Sequence, residues 1–148
     1  MQILPGHYEK HQGTEEFRVK LIMCVSKNGG ISFNNRRQSR DEEVCKDMIA
    51  LSGGSIFASE YSAKLFDGIG KVQICDAGKM PAGQYYFAER GMPEVDEQSI
   101  SEVVLYHWNR EYPADSFFDI DLKDFRLKEN VEFEGKSHDC IRRERWIR

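Results

Sequence analysis

VKLIMCV, residues 19–25, is an almost unbroken apolar run, followed at once by SKNGG at residues 26–30. A strand that is apolar on both faces is covered on both faces, so this run predicts the centre of a sheet rather than its edge. The glycines behind it read as a turn. Further along, residues 34–43, NNRRQSRDEE, place Arg36, Arg37 and Arg40 just ahead of an apolar pattern with helical period. Ser39 stands three residues before Glu42, the S-x-x-E arrangement in which each side chain satisfies the other residue's backbone N–H, and so predicts a helix start at Ser39. Val44, Cys45, Met48, Ile49 and Leu51 fall on one face of that helix, and Gly53-Gly54 ends it where a left-handed residue is wanted.

After this helix the pattern turns mostly to strands. SIFAS (55–59) reads as a short strand and EYSAKLF (60–66) as a brief helix with Tyr61, Leu65 and Phe66 turned inward. KVQICD, QYYFAE, SEVVLYHW, DFRLKENVEFEG and HDCIRRERWI follow as strand-like segments separated by Gly, Pro, Asp and Asn. The order predicts an α/β or α+β sheet domain. Residues 1–17 carry no sustained period and read as a flexible N-terminal extension to a domain spanning 18–148, with a biological start near Val19 as a further expectation. His7 and His11 in that extension have i, i+4 spacing, but Pro5, Gly6 and Gly13 leave little helix to carry a metal.

Composition narrows the function classes. A chain of 148 residues is long enough for one core without a metal or disulfide staple. Its apolar runs are too short to span a bilayer, so no membrane partner is expected. A formal charge of −4 disfavours a broad nucleic-acid footprint while leaving room for a local basic patch. Cys24, Cys45, Cys75 and Cys140 form no C-x-x-C pair and no apolar signal core opens the chain, which implies a reducing, cytoplasmic compartment. The four histidines, at 7, 11, 107 and 138, are scattered and form no cluster with carboxylates at ligand spacing, so no metal is expected. No base is identifiable near a Ser or Cys nucleophile, and neither a G-x-S-x-G nor a phosphate-loop motif occurs.

The arginines are the chemical feature that stands out. Guanidinium forks beside helix N-terminal amides, with Ser39 at the cap, are complementary to a phosphate or carboxylate. The competing reading pairs them with Asp41, Glu42, Glu43 and Asp47, each exposed pair worth about 0–1 kcal/mol. The helix dipole disfavours uncompensated cations at a helix start, which weighs toward an anionic small molecule or an acidic partner held by Arg36, Arg37, Ser39 and Arg40. Arg37→Ala or Arg40→Ala is then expected to abolish binding and leave the melting temperature nearly unchanged. The C-terminal RRERWIR reads as an edge-strand face first and a weak nucleic-acid patch second.

Three stretches together resemble the dihydrofolate reductases. LIMCVSKNGGISFNN resembles the family's first strand and following loop, and GGSIFASEYSAKLF its second strand and the helix opening onto the cofactor. SEVVLYHWNREYPADSFFDIDLKDFRLKENVEFEG is similar to its later strand, turn, Phe-rich stretch and closing hairpin, so the resemblance spans 19–148 in order. It implies a dihydrofolate-reductase-like mixed sheet with a long C-terminal hairpin and one main helix, shortened in the middle.

The departures fall where the family does its chemistry. A Pro-Trp pair and an acid that orients the pterin precede the family's helix; RRQSRDEE stands there here, leaving Asp41 or Glu43 as the candidate catalytic acid, Glu43 being nearest by register. An acid one position off on a helix points about 100° away. Where the family places a basic residue against the cofactor phosphates, Glu60 stands, flanked by Ser59 and Ser62 as the remaining cofactor contacts. The family's Gly-Gly-x-x-x-Tyr element has no counterpart. Tyr106 aligns with a cleft-facing Thr and is a ligand candidate, and Asp115 matches a turn Asp that contacts the loop at 28–33. The leading expectation is a divergent member without classical reductase activity or cofactor, binding an anion through its arginine loop. Two alternatives stay open: a reductase of a pterin-like substrate using NADPH or NADH, and an interaction or inhibitor protein on the same scaffold.

Overall fold

The computed structural model describes residues 18–148. The expected N-terminal extension and its His7/His11 pair lie outside the described residues. The strands are β1 (Val19–Val25), β2 (Gly30–Phe33), β3 (Arg36–Arg37), β4 (Ser55–Ala58), β5 (Lys71–Ile74), β6 (Tyr85–Phe87), β7 (Ile100–His107), β8 (Ser116–Phe117), β9 (Arg126–Phe133) and β10 (Ile141–Ile147). The helices are α1 (Glu42–Leu51) and the four-residue α2 (Glu60–Ala63), with 3-10 turns at Lys64–Phe66, Ala77–Lys79 and Glu97–Ser99.

Seven strands form one mixed sheet in the order β5-β4-β6-β1-β7-β10-β9. The strands from β5 to β7 run parallel, and β10 joins β7 and β9 antiparallel as the closing hairpin. β1 lies near the middle, between β6 and β7, as its two-sided apolar pattern requires. Alternation sends Leu21, Met23 and Val25 to one face with Val103 and Leu105, and Ile22 and Cys24 to the other with Val104 and Tyr106. α1 covers the second face through Val44, Cys45 and Met48, all buried. Each such side chain removed from water contributes about 1.5–3 kcal/mol, which is what fixes a helix of this length on the sheet.

The helix boundaries differ from expectation at one end. Gly53 (φ 82°) and Gly54 (φ 118°) follow the helix in left-handed conformations, as expected. At the other end the N-cap is Asp41, which accepts from Glu43 N–H, and not Ser39. The local S-x-x-E pattern loses to a carboxylate with tertiary partners, described below. The C-terminal arginine segment is also placed differently: β10 is an interior strand, and the exposed edge is β9.

β2, β3 and β8 form a small antiparallel sheet. Asn34 and Asn35, at φ 52° and 58°, make the two-residue left-handed turn between β2 and β3. Asp115 holds this turn, its carboxylate accepting from Asn34 N–H at 3.1 Å while its own N–H donates to Ser32 O. The expected contact with the loop at 28–33 is thus made by the backbone, and the side chain reaches one residue beyond. That hairpin decides where Arg36 and Arg37 point.

Candidate functional site

Parallel strands leave a crevice at their C-terminal ends, and here β1, β6 and β7 end beside the start of α1. The space between them is a cleft walled by Cys24, Phe87, Trp108, Val44, Met48 and Leu65. It is narrow: the part open to a water-sized molecule is about 20 Å3, room for one or two waters. Its polar rim is Arg37, Gln38, Ser39, Arg40 and Asp41, with Glu89 at its inner end.

The three arginines do not converge. Neighbours on a strand point to opposite faces, so Arg36 projects to solvent while Arg37 turns inward. Arg37 makes a two-pronged pair with Glu89, its Nε on Oε2 and its Nη2 at 3.3 Å from Oε1. Arg37 Nη2 also donates to Tyr61 O at 3.3 Å, and the guanidinium lies over the Tyr61 ring at 4.3 Å. Glu89 is buried and accepts in addition from Ser62 Oγ at 2.6 Å. Burial alone would lower the Arg37 pKa, but the hydrogen bond and charge of Glu89 outweigh it and the pKa rises. Arg37 is therefore already neutralised. Arg40 alone remains at the rim, exposed and without an ion pair among the described residues.

The acid candidates are also placed differently from what the register suggested. Glu43 is turned to solvent beside Lys46 and does not line the cleft. Asp41 is at the rim, but its carboxylate faces the turn between β9 and β10. It accepts from Lys136 N–H and Ser137 N–H at 2.8 Å, Ser137 Oγ at 3.1 Å and His138 Nδ1 at 2.9 Å, besides the helix cap at 2.9 Å. Burial would raise its pKa, yet the Lys136, His138, Ser137 and Glu43 donors prevail and hold it well below the usual carboxylate range.

Tyr106 is fully buried beneath α1 and donates its hydroxyl to Asp47 at 2.7 Å, so it does not reach the cleft. Arg143 meets the same Asp47 and also Glu129, each at 2.7 Å. Arg145 pairs with Glu102 at 2.9 Å. Arg143 and Arg145 of β10 are thus matched by acids on neighbouring elements, and Arg142 lies 3.8 Å from Glu144 of its own strand. Ser59 caps α2 by accepting from Ser62 N–H.

Sequence reasoning passed over Glu89, Tyr112 and the partners of His138. The signal for Glu89 was an acid two residues behind the apolar strand YYF, at the C-terminal end of a parallel strand where side chains face a crevice. His138 is buried in the β9–β10 turn, with Nε2 at 3.2 Å from Ser39 Oγ and 3.0 Å from Tyr112 OH, and its ring stacks on Trp108 at 4.6 Å. The expectation that no base lies near a serine is corrected by this contact. Among the described residues no cluster of His, Cys, Asp and Glu could hold a metal, and no helix is long and apolar enough to cross a membrane.

Two further depressions adjoin the cleft. A groove of about 510 Å3 shares Arg40, Asp41, Cys45 and Leu65 with it and is also lined by Lys64 and Lys136. A broader one of about 660 Å3 lies beyond Glu89, at the ends of β4 and β6, and includes Ser59, Asp76, Lys79, Arg90 and Glu94.

No protein-family model matches the chain, and no curated protein matches it. Among solved structures it is similar to the dihydrofolate reductase from Enterococcus faecalis complexed with NADP(H) and RAB-propyl. The TM-score is 0.61 at 11% identity, over 90% of this chain and 97% of that one. The fold is dihydrofolate-reductase-like, an α/β mixed sheet.

Proposed function

We propose that this is a small-molecule-binding protein on a dihydrofolate-reductase-like scaffold that does not carry out the reductase reaction, and that its ligand is an anion seated at Arg40. The observation that carries the reading is an orphaned acceptor. Gln38 donates its amide nitrogen to Ser26 Oγ and Pro113 O, both at 3.1 Å, which fixes the amide's orientation and leaves Oε1 buried without a donor among the described residues. A buried acceptor without a partner costs about 1–3 kcal/mol, so a donor from outside the chain would be stabilised there. Gln38 and Arg40 line the same cleft, and Arg40 and Lys64 line the groove that opens from it. A ligand with an acidic group toward Arg40 and Lys64 and an N–H or O–H toward Gln38 matches this arrangement.

The nicotinamide alternative rests on the scaffold, and the residues do not fit it. A dinucleotide's pyrophosphate is held by helix N-terminal amides and cations. Here the carboxylate of Glu89 stands just beyond β6, the link from β6 to β7 contains only a 3-10 turn, and α2 is four residues long with Glu60 at its first position. No reaction step is assigned to such a cofactor.

The test is titration of the full chain with inorganic phosphate and with a small dicarboxylate, followed by backbone amide chemical shifts. Saturable shifts at residues 38–41 and Lys64 are expected, with affinity weakened about tenfold or more in Arg40→Ala, a loss of roughly 1.4 kcal/mol. Shifts absent at these positions, or unchanged by the substitution, would overturn the reading.

A further inference from the structure

The start of α1 gathers three groups that are remote in sequence. Ser39 Oγ is 3.2 Å from His138 Nε2, and His138 Nδ1 is 2.9 Å from Asp41 Oδ2, so the imidazole stands between a hydroxyl and a carboxylate with one nitrogen facing each. The tautomer follows from the carboxylate. Asp41 accepts from every neighbour it touches, so Nδ1 carries the proton and Nε2 presents its lone pair to the hydroxyls of Ser39, at 3.2 Å, and Tyr112, at 3.0 Å. The ring has little freedom to turn: His138 is 3% exposed and lies 26° from parallel to the Trp108 indole. Tyr112 OH completes the group, 3.2 Å from Ser39 Oγ, to which it can donate. Unlike Asp41 and His138, Ser39 is partly exposed, and it lines the cleft with Gln38 and Arg40.

We propose that Ser39 is a nucleophile toward small carboxylic esters, with His138 as its general base and Asp41 as the group that orients the imidazole and balances its charge. The roles are those any hydroxyl–imidazole–carboxylate relay imposes, whatever the fold. Ser39 Oγ bonds to the ester carbonyl carbon while its proton passes to His138 Nε2, giving a tetrahedral oxyanion and an imidazolium paired with Asp41. The oxyanion collapses, the bond to the leaving alcohol breaks, and the alcohol takes the proton from Nε2. Water then adds to the acyl carbon, passing a proton to Nε2. The acid departs as the Ser39 C–O bond breaks, and Ser39 Oγ recovers that proton. Arg40 is the cation at the same rim that can meet the oxyanion or an acidic substituent on the ester. Only the preference for an acidic substituent rests on the ligand reading above; the nucleophile does not.

The test uses an uncharged alkyl fluorophosphonate, which phosphonylates activated serines and needs no anion site. Full-length protein is incubated with the probe and read by intact mass and peptide mapping. One adduct on Ser39 is expected, absent in Ser39→Ala and formed about 100-fold or more slowly in His138→Gln. Because His138 is buried, the His138→Gln rate is read on protein that keeps the wild-type tryptophan emission, and His107→Gln, an imidazole paired with Glu144 outside the relay, must still label at Ser39. Hydrolysis of p-nitrophenyl acetate by wild type but not by Ser39→Ala is the matching activity readout. No adduct on the wild type, an adduct elsewhere, or equal rates in His138→Gln would overturn the proposal and mark the cluster as a tie between the turn and α1. Phosphate titration can fail while labelling succeeds, or the reverse, so the two readings fall separately.

Discussion

Replacing Asp41 by alanine removes one carboxylate from five donors. The helix cap to Glu43 N–H is worth about 1 kcal/mol. Lys136 and Ser137 are exposed residues, so water can repair most of what their N–H groups lose. His138 Nδ1 cannot be repaired in this way: its side chain is 2% exposed, and a buried donor left unpaired costs about 1–3 kcal/mol. Together with the slackened turn, the expected loss is about 4 kcal/mol, a large share of the roughly 5–15 kcal/mol that holds a domain folded. Urea unfolding followed by tryptophan fluorescence reads this directly, because Trp108 stacks on His138. The melting temperature should fall by about 15 °C. A loss of about 1 kcal/mol or less would mean that only the cap matters and would refute the reasoning. The pH dependence follows the same carboxylate. Its folded pKa is held below the unfolded value of about 3.9, so its contribution is complete well above that value and is lost as pH falls below about 4. The alanine variant should lack that slope.

Arg37→Ala leaves Glu89 buried with Ser62 as its remaining hydrogen-bond donor, and should cost about 3 kcal/mol in urea unfolding, the reverse of the stability-neutral outcome expected of a ligand-binding arginine; a loss under about 0.5 kcal/mol would show the pair to be dispensable. Gly135→Ala puts a Cβ at 2.6 Å from Asp41 Oδ2 and 2.9 Å from His138 O, so the turn must move; a drop of about 2 kcal/mol and an altered Trp108 emission are expected, and unchanged values would contradict the close approach. The Cys45 thiol is pushed up to about 12 by burial and by the Glu89 and Asp41 carboxylates, so it should resist iodoacetamide at about pH 8 until urea unfolds the chain; prompt alkylation of the folded protein would argue against that environment.

What could be read from the sequence was what local pattern determines. The run at 19–25 has one solution, a covered central strand, and the spacing of Val44, Met48 and Leu51 with Gly53-Gly54 behind them has one solution, a helix on the sheet. The site was legible only in part, because its bonds are long-range. Asp41 and His138 are 97 residues apart, and Arg37 and Glu89 are 52 apart. Nothing local distinguishes an arginine that will meet a buried glutamate from one that stays free, or a serine that caps a helix from one that faces an imidazole. The same reason hid the placement of β10: its arginines read as an exposed edge until Asp47, Glu102 and Glu129 arrive from α1, β7 and β9.

We propose that Glu89, locked to Arg37 and Ser62 just beyond β6, sets a carboxylate on the wall of the crevice a dinucleotide would need and so disfavours its phosphates. Calorimetric titration of the full chain with NADPH and with NADH, carried to about 1 mM, tests it most directly. No saturable heat is expected with either nucleotide. Saturable binding near micromolar concentration, together with oxidation of the bound nucleotide when dihydrofolate is added, would contradict it.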